Sequence, residues 1–173
     1  SRSPPNPGSS RLAIEDKESF KWLRGIHGAR QARHDHLPHE QRPRLIHVFD
    51  REGDVHEVFE ALKDSPDGAV IRCAHNRRVL TETDQGALAH EAVRTAPLLG
   101  TVAINVPRKQ GQRKRDAKVQ LRSRKITLTP SRHKHPQRQW LELTLVEVWE
   151  AHPPEGAKPL HWMLWTTEPA DNL

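Results

Sequence analysis

Between residues 45 and 62 the pattern of apolar and polar positions changes period. Leu45, Ile46, Val48 and Phe49 form a nearly continuous apolar run that ends at one acid, Asp50. Such a run predicts an interior strand over residues 45–50. A short polar turn follows. Val55, Val58, Phe59 and Leu62 then recur at i, i+3, i+4 and i+7, which predicts a helix over residues 54–63 with one apolar face on the sheet. Asp67-Gly68 marks a turn, and residues 69–73 predict a second strand. Ahead of this unit, residues 16–26 predict a short helix with Phe20 and Leu23 inward. Residues 29–44 are polar, hold Pro38 and Pro43, and predict a loop.

After Ala74 the pattern becomes β-like. Residues 86–96 predict a short helix. Residues 101–106, 117–122, 125–129, 140–149 and 160–166 have the alternating or β-branched character of strands. Residues 108–116 connect two of them as a hairpin, and Pro153, Pro154 and Gly156 mark the last turn. Residues 1–11, rich in Pro, Ser and Gly, predict a disordered linker. The expected organisation is therefore a linker (1–11), an α/β piece (12–75), a mostly antiparallel β segment (76–168) and a short tail (169–173).

Composition adds three points. Hydrophobic residues are 34% of the 173, with Phe 3 and Tyr 0, so the core is thin for the length. That, and a start at Ser1 rather than Met, leads us to expect a piece of a longer protein. One cysteine, Cys73, excludes an internal disulfide framework and suits a reducing cytosol. We see no signal-peptide pattern and no run approaching a membrane span, and expect a cytoplasmic, nucleoid-associated protein.

Charge is the third point. Residues 108–125 hold Arg108, Lys109, Arg113, Lys114, Arg115, Lys118, Arg122, Arg124 and Lys125 against Asp116, which is 9 − 1 = +8. The whole chain is +6, so the remainder sums to 6 − 8 = −2. A positive field focused on one segment favours a polyanion, most simply nucleic acid. Phosphate contacts would give affinity and salt dependence with little sequence preference. A solvated basic loop remains the plain alternative.

Taken together, these segments resemble a known family. Asp50-Arg51-Glu52-Gly53-Asp54 resembles the segment around the second catalytic Asp of bacterial cut-and-paste DDE transposases. The branch is the Tn-five type of insertion sequence, with a Tyr-Arg-Glu-Lys signature. Asp16-Lys17-Glu18-Ser19 and Lys21-Trp22-Leu23 resemble the stretch before that strand. Val70-Ile71-Arg72 resembles the strand after the helix. Val106-Pro107-Arg108-Lys109-Gln110-Gly111 with the basic run, and Pro159-Leu160-His161-Trp162 with Thr167-Glu168-Pro169, resemble an inserted β-domain.

The resemblance implies a partial RNase H-like α/β core followed by an inserted, mostly antiparallel β-domain. It implies two-metal phosphodiester hydrolysis and strand transfer with Mg²⁺, or Mn²⁺, in the complete protein. By the same resemblance Asp50 is a catalytic metal ligand, Arg72 contacts DNA near the active site, and Trp162 stacks on a base flipped out of the transposon end. Arg108, Lys109, Arg113, Lys114, Arg115 and Lys118 would contact phosphates. The implied partners are double-stranded DNA, as transposon end and target, and a second copy of the complete protein. Simpler readings stand beside these: a capping acid for Asp50, a core aromatic for Trp162 and a surface cation for Arg72.

The chain also departs from the family pattern. No apolar strand carrying an acid precedes Asp50. With Tyr 0, the Tyr-x-x-Arg-x-x-x-Glu helix of the third acid is absent. We therefore expect this chain alone not to cleave or join DNA. The alternative is a non-catalytic nucleic-acid-binding module that uses residues 108–125. The 12 histidines, among them His34, His36 and His39, lack the cysteine partners and spacing of a structural zinc site. Cys73, at the end of a buried strand, predicts an inert thiol.

Overall fold

The computed structural model describes residues 20–63, 65–83, 85–108, 114–129 and 140–172. The elements in chain order are α1 (Phe20–His36), β1 (Ile46–Phe49), α2 (His56–Lys63), β2 (Gly68–Arg72), β3 (Arg78–Thr81), β4 (Gly86–Leu88), α3 (Ala89–Arg94), β5 (Leu98–Val106), β6 (Arg115–Leu128), β7 (Leu141–Trp149) and β8 (His161–Thr166). All eight strands share one sheet in the order β1-β2-β8-β7-β6-β3-β4, with β5 also on β6. Among the described residues only β1 and β2 pair in parallel, joined through α2, and the other pairings are antiparallel. The molecule is thus mixed α/β with a mostly antiparallel sheet. Strands from residues 12–75 and 76–168 meet in it through the β2–β8 pairing, where Ile71 lies opposite Trp165.

Because side chains alternate across a strand, register assigns each to a face. One face carries Ile71, Ile126, Leu128, Leu143, Leu145, Met163 and Trp165. Against it pack Leu23 and Ile26 of α1, Val58, Phe59 and Leu62 of α2, and Ala92 and Val93 of α3. Burying each large aliphatic or aromatic side chain there stabilises the fold by roughly 1.5–3 kcal/mol. The opposite face holds a smaller cluster of Val119, Val146 and Val148 with Leu121, Trp162 and Leu164 at its margin. Strand β7 feeds both clusters, with Leu141, Leu143 and Leu145 in the first and Val146 and Val148 in the second.

Four expectations are corrected. First, the strand ending at Asp50 is not interior. Among the described residues it is the sheet's edge, and its side chains are open, with Ile46 46% and Val48 73% exposed. An apolar run reads alike in an edge and a central strand, and only the missing second neighbour separates them. Second, residues 29–36 are helical rather than loop. Arg30 Nε and Arg33 Nη1 reach the fully buried carboxylate of Asp67 at 2.8 and 2.6 Å. That polar stretch is anchored by ion pairs, not by apolar periodicity. Third, the two strands expected over 117–122 and 125–129 are one strand, β6, since Ser123 and Arg124 pair with Val146 and Leu145. Fourth, β3 and β4 form a hairpin missed in the sequence, and α3 is confined to Ala89–Arg94.

Thr167-Glu168-Pro169 ties the segment after β8 to β2 and to the chain entering β1. Ala69 N–H donates to Thr167 Oγ1 at 2.8 Å, and Arg44 grips both oxygens of Glu168 at 2.6 Å. A side chain at Gly68 would run into the Glu168 carboxylate, so glycine permits this closure.

Candidate functional site

Asp50 follows β1 directly. Its extended backbone (φ −77°, ψ −166°) starts the 3-10 turn Arg51–Gly53, and its Oδ1 accepts the Glu52 N–H at 3.0 Å. The side chain is exposed. Gly53 makes the turn possible, because a Cβ there would lie 2.5 Å from Phe49 Cβ. Helix α1 braces the turn from outside. Trp22 packs edge-on against Phe49 with ring centroids 5.3 Å apart, and Lys21 Nζ donates to Glu52 at 2.5 Å.

Register brings two further candidates to Asp50. Phe49 lies opposite Ile71, so the next residues, Asp50 and Arg72, are neighbours across β1 and β2. Arg72 lies opposite Leu164, two residues from Trp162 on β8. Val48, Asp50, Val70, Arg72, Leu164 and Trp162 alternate onto the face opposite the three helices. Three residues from three separate segments thus share one end and one face of the sheet. Trp162 also packs at the margin of the Val119, Val146 and Val148 cluster, so part of its ring is structural.

Two residues that the sequence reading left unassigned hold this end together. Asp54, 1% exposed, accepts the N–H groups of Ala74 and His75 at 2.7 and 3.1 Å and Arg77 Nε at 3.0 Å. The loop after β1 is thereby fastened to the loop after β2. The signal available in the sequence was an acid four residues after Asp50 and an Arg-Arg pair after the second strand. Cys73, directly before Ala74, packs against the main apolar cluster. Burial, and then the Asp54 carboxylate, push its thiol far above the ordinary range, so it is not a nucleophile.

Asp50 fits the part of one metal ligand, since its second oxygen takes no part in the turn. Among the described residues, however, no group of three or more His, Cys, Asp or Glu could hold a metal ion. The described residues do not by themselves make a two-metal site.

The basic run divides into three. Lys109 and Arg113 lie outside the described residues. Arg108, Lys114 and Lys118 are exposed along the β5–β6 hairpin. The others are largely engaged within the fold. Arg115 is gripped by both oxygens of Glu150, which hold its guanidinium firmly charged. Arg122 Nε meets the buried Glu147 at 2.7 Å, and Lys125 Nζ is 3.6 Å from Asp171. Three of the nine cations are therefore met by acids from β7, from the residue after it and from the segment after β8, where the sequence shows no local charge match. No helix among the described residues is long and apolar enough to cross a membrane. No protein-family model matches the chain.

Proposed function

We propose that this chain is part of a DDE-type DNA transposase. In this reading Asp50 supplies one carboxylate to a Mg²⁺ or Mn²⁺ site completed by acids elsewhere in the full protein. Arg72 neutralises a nearby phosphate, and Trp162 offers an aromatic face to an unstacked base. The convergence of these three residues on one end and one face of the sheet is the observation that carries the reading. The resemblance assigns them from separate stretches of sequence, and nothing local requires them to meet. The exposed edge of β1 adds support. An apolar parallel strand that, among the described residues, pairs with β2 alone suits a sheet that continues beyond it. The partners would be transposon-end and target DNA and, in the complete protein, a second copy.

The exposed Arg108, Lys114 and Lys118 favour a second reading, a non-catalytic nucleic-acid-binding module. One experiment separates the two. Binding is measured to duplex DNA carrying an abasic site opposite an unpaired base, with and without Mg²⁺. The transposase reading expects Mg²⁺ to tighten binding and Asp50→Asn to abolish that effect. It also expects Trp162→Ala to weaken binding about tenfold, as loss of one base–aromatic stack does. Binding indifferent to Mg²⁺ and to both substitutions would overturn it in favour of the module.

A further inference from the structure

A second aromatic surface lies on the other face of the sheet, past the end of α3. Gln120, Trp149 and His161 stand side by side on β6, β7 and β8. The Trp149 ring is half-buried, yet it belongs to neither apolar cluster. The Arg122 guanidinium lies 4.4 Å from the ring centroid. Arg122 is itself fixed by Glu147 and by the Arg94 carbonyl at 2.5 Å, so ring and cation form a held pair. Glu147 also meets His161 Nε2 at 2.8 Å. Beside this row a groove of about 380 Å³ opens between the β5–β6 surface, with Lys118 and Gln120, and the β7–β8 turn, with His152 and Pro154. Asp116, also in the groove, has its carboxylate engaged by Asn105 Nδ2 at 2.7 Å.

We propose that this groove and the Trp149 ring bind single-stranded nucleic acid, one base stacking near Trp149 while Lys118 meets the adjoining phosphate. An aromatic platform flanked by cations suits a strand whose bases are unpaired, since every base has a π-face and every link a negative charge. A duplex hides its base faces and would use only the charges. The proposal rests on nucleic acid being the partner but not on Asp50 chemistry, and it uses the opposite face from Trp162.

The test is anisotropy of a labelled oligothymidylate of roughly ten nucleotides, a length in the range of single-strand sites. Trp149→Ala is expected to weaken binding about tenfold, with Trp149→Phe retaining most of it. Lys118→Ala should lower the slope of log K against log salt by about 0.7, as loss of one single-strand phosphate contact does. Val48→Ala, at a position 73% exposed on the opposite face beside Asp50, should leave oligothymidylate binding unchanged, which separates this site from the one at Asp50. Should Trp149→Ala not fold, photocrosslinking of an iodouridine oligonucleotide to the unaltered protein replaces it, and crosslinks on the Trp149 peptide are expected. Equal affinity of parent and a folded Trp149→Ala would overturn the proposal. So would crosslinks confined to the Trp162 peptide, or polyglutamate competing as well as the oligonucleotide.

Discussion

Asp54 and Arg77 join the loops that follow β1 and β2: Arg77 Nε donates to Asp54 Oδ1 at 3.0 Å and Nη2 to the Asp54 carbonyl at 2.5 Å. The carboxylate is fully buried while the guanidinium is 25% exposed, so removing the acid leaves the arginine partly solvated. Asp54→Ala also orphans the Ala74 and His75 amides. We expect a loss of about 3 kcal/mol in urea unfolding, at the low end for a broken buried pair. Hydrogen exchange should quicken at those two amides first. Unchanged exchange there would contradict the tie between the loops.

Gly53 and Gly25 make a contrasting pair. Gly53→Ala places a Cβ 2.5 Å from Phe49 Cβ and should cost about 1–3 kcal/mol through displacement of the turn that starts at Asp50. Gly25, inside α1, has nothing within 4 Å, and Gly25→Ala should stabilise by about 0.5–1 kcal/mol. Thermal melting of both variants checks the opposite signs.

The edge position of β1 is tested by Val48→Ala against Ile71→Ala. Val48 is 73% exposed and its loss should cost no more than about 0.5 kcal/mol. Ile71, 1% exposed in the cluster with Phe59 and its cross-strand partner Trp165, should cost about 2–5 kcal/mol. Equal costs in denaturant titrations would mean that β1 is covered on both sides in solution.

Acid should reach the α1 anchor last. Burial raises the Asp67 carboxyl pKa, but hydrogen bonds from Arg30, Arg33 and the Leu45 N–H outweigh it and hold the group at about 2 against an ordinary 3.8. A carboxyl whose folded pKa is depressed favours folding in its ionised form. Its contribution is complete above the unfolded value and disappears as pH falls through the folded one. About 2 kcal/mol of stability should therefore vanish between roughly pH 4 and pH 2. Asp67→Asn should flatten that part of the pH profile while lowering stability at neutral pH. A parent-like acid limb in the variant would assign the transition to other carboxylates.

Local sequence determined the elements whose signal is periodic. The spacing of Val55, Val58, Phe59 and Leu62 is that of α2, whose buried residues include the last three. The apolar residues of 141–148 fall on both parities, Leu141, Leu143 and Leu145 on one face and Val146 and Val148 on the other, as in a strand packed on both faces. Alternation and helical period are properties of neighbours a few positions apart, so they are readable without the fold. Tertiary structure decided everything that depends on a distant partner. Helix α1 runs past Ala29 because Arg30 and Arg33 find Asp67 some 34 residues or more away. Strand β1 is an edge because of which strands pair elsewhere. Arg115 and Arg122 turn from a basic run into structural ion pairs because β7 and the residue after it supply Glu147 and Glu150. Asp50, Arg72 and Trp162 come to one end of the sheet only through the β1–β2–β8 register. Sheet order and buried charge pairing are non-local choices, and no pattern within a short window of sequence encodes them.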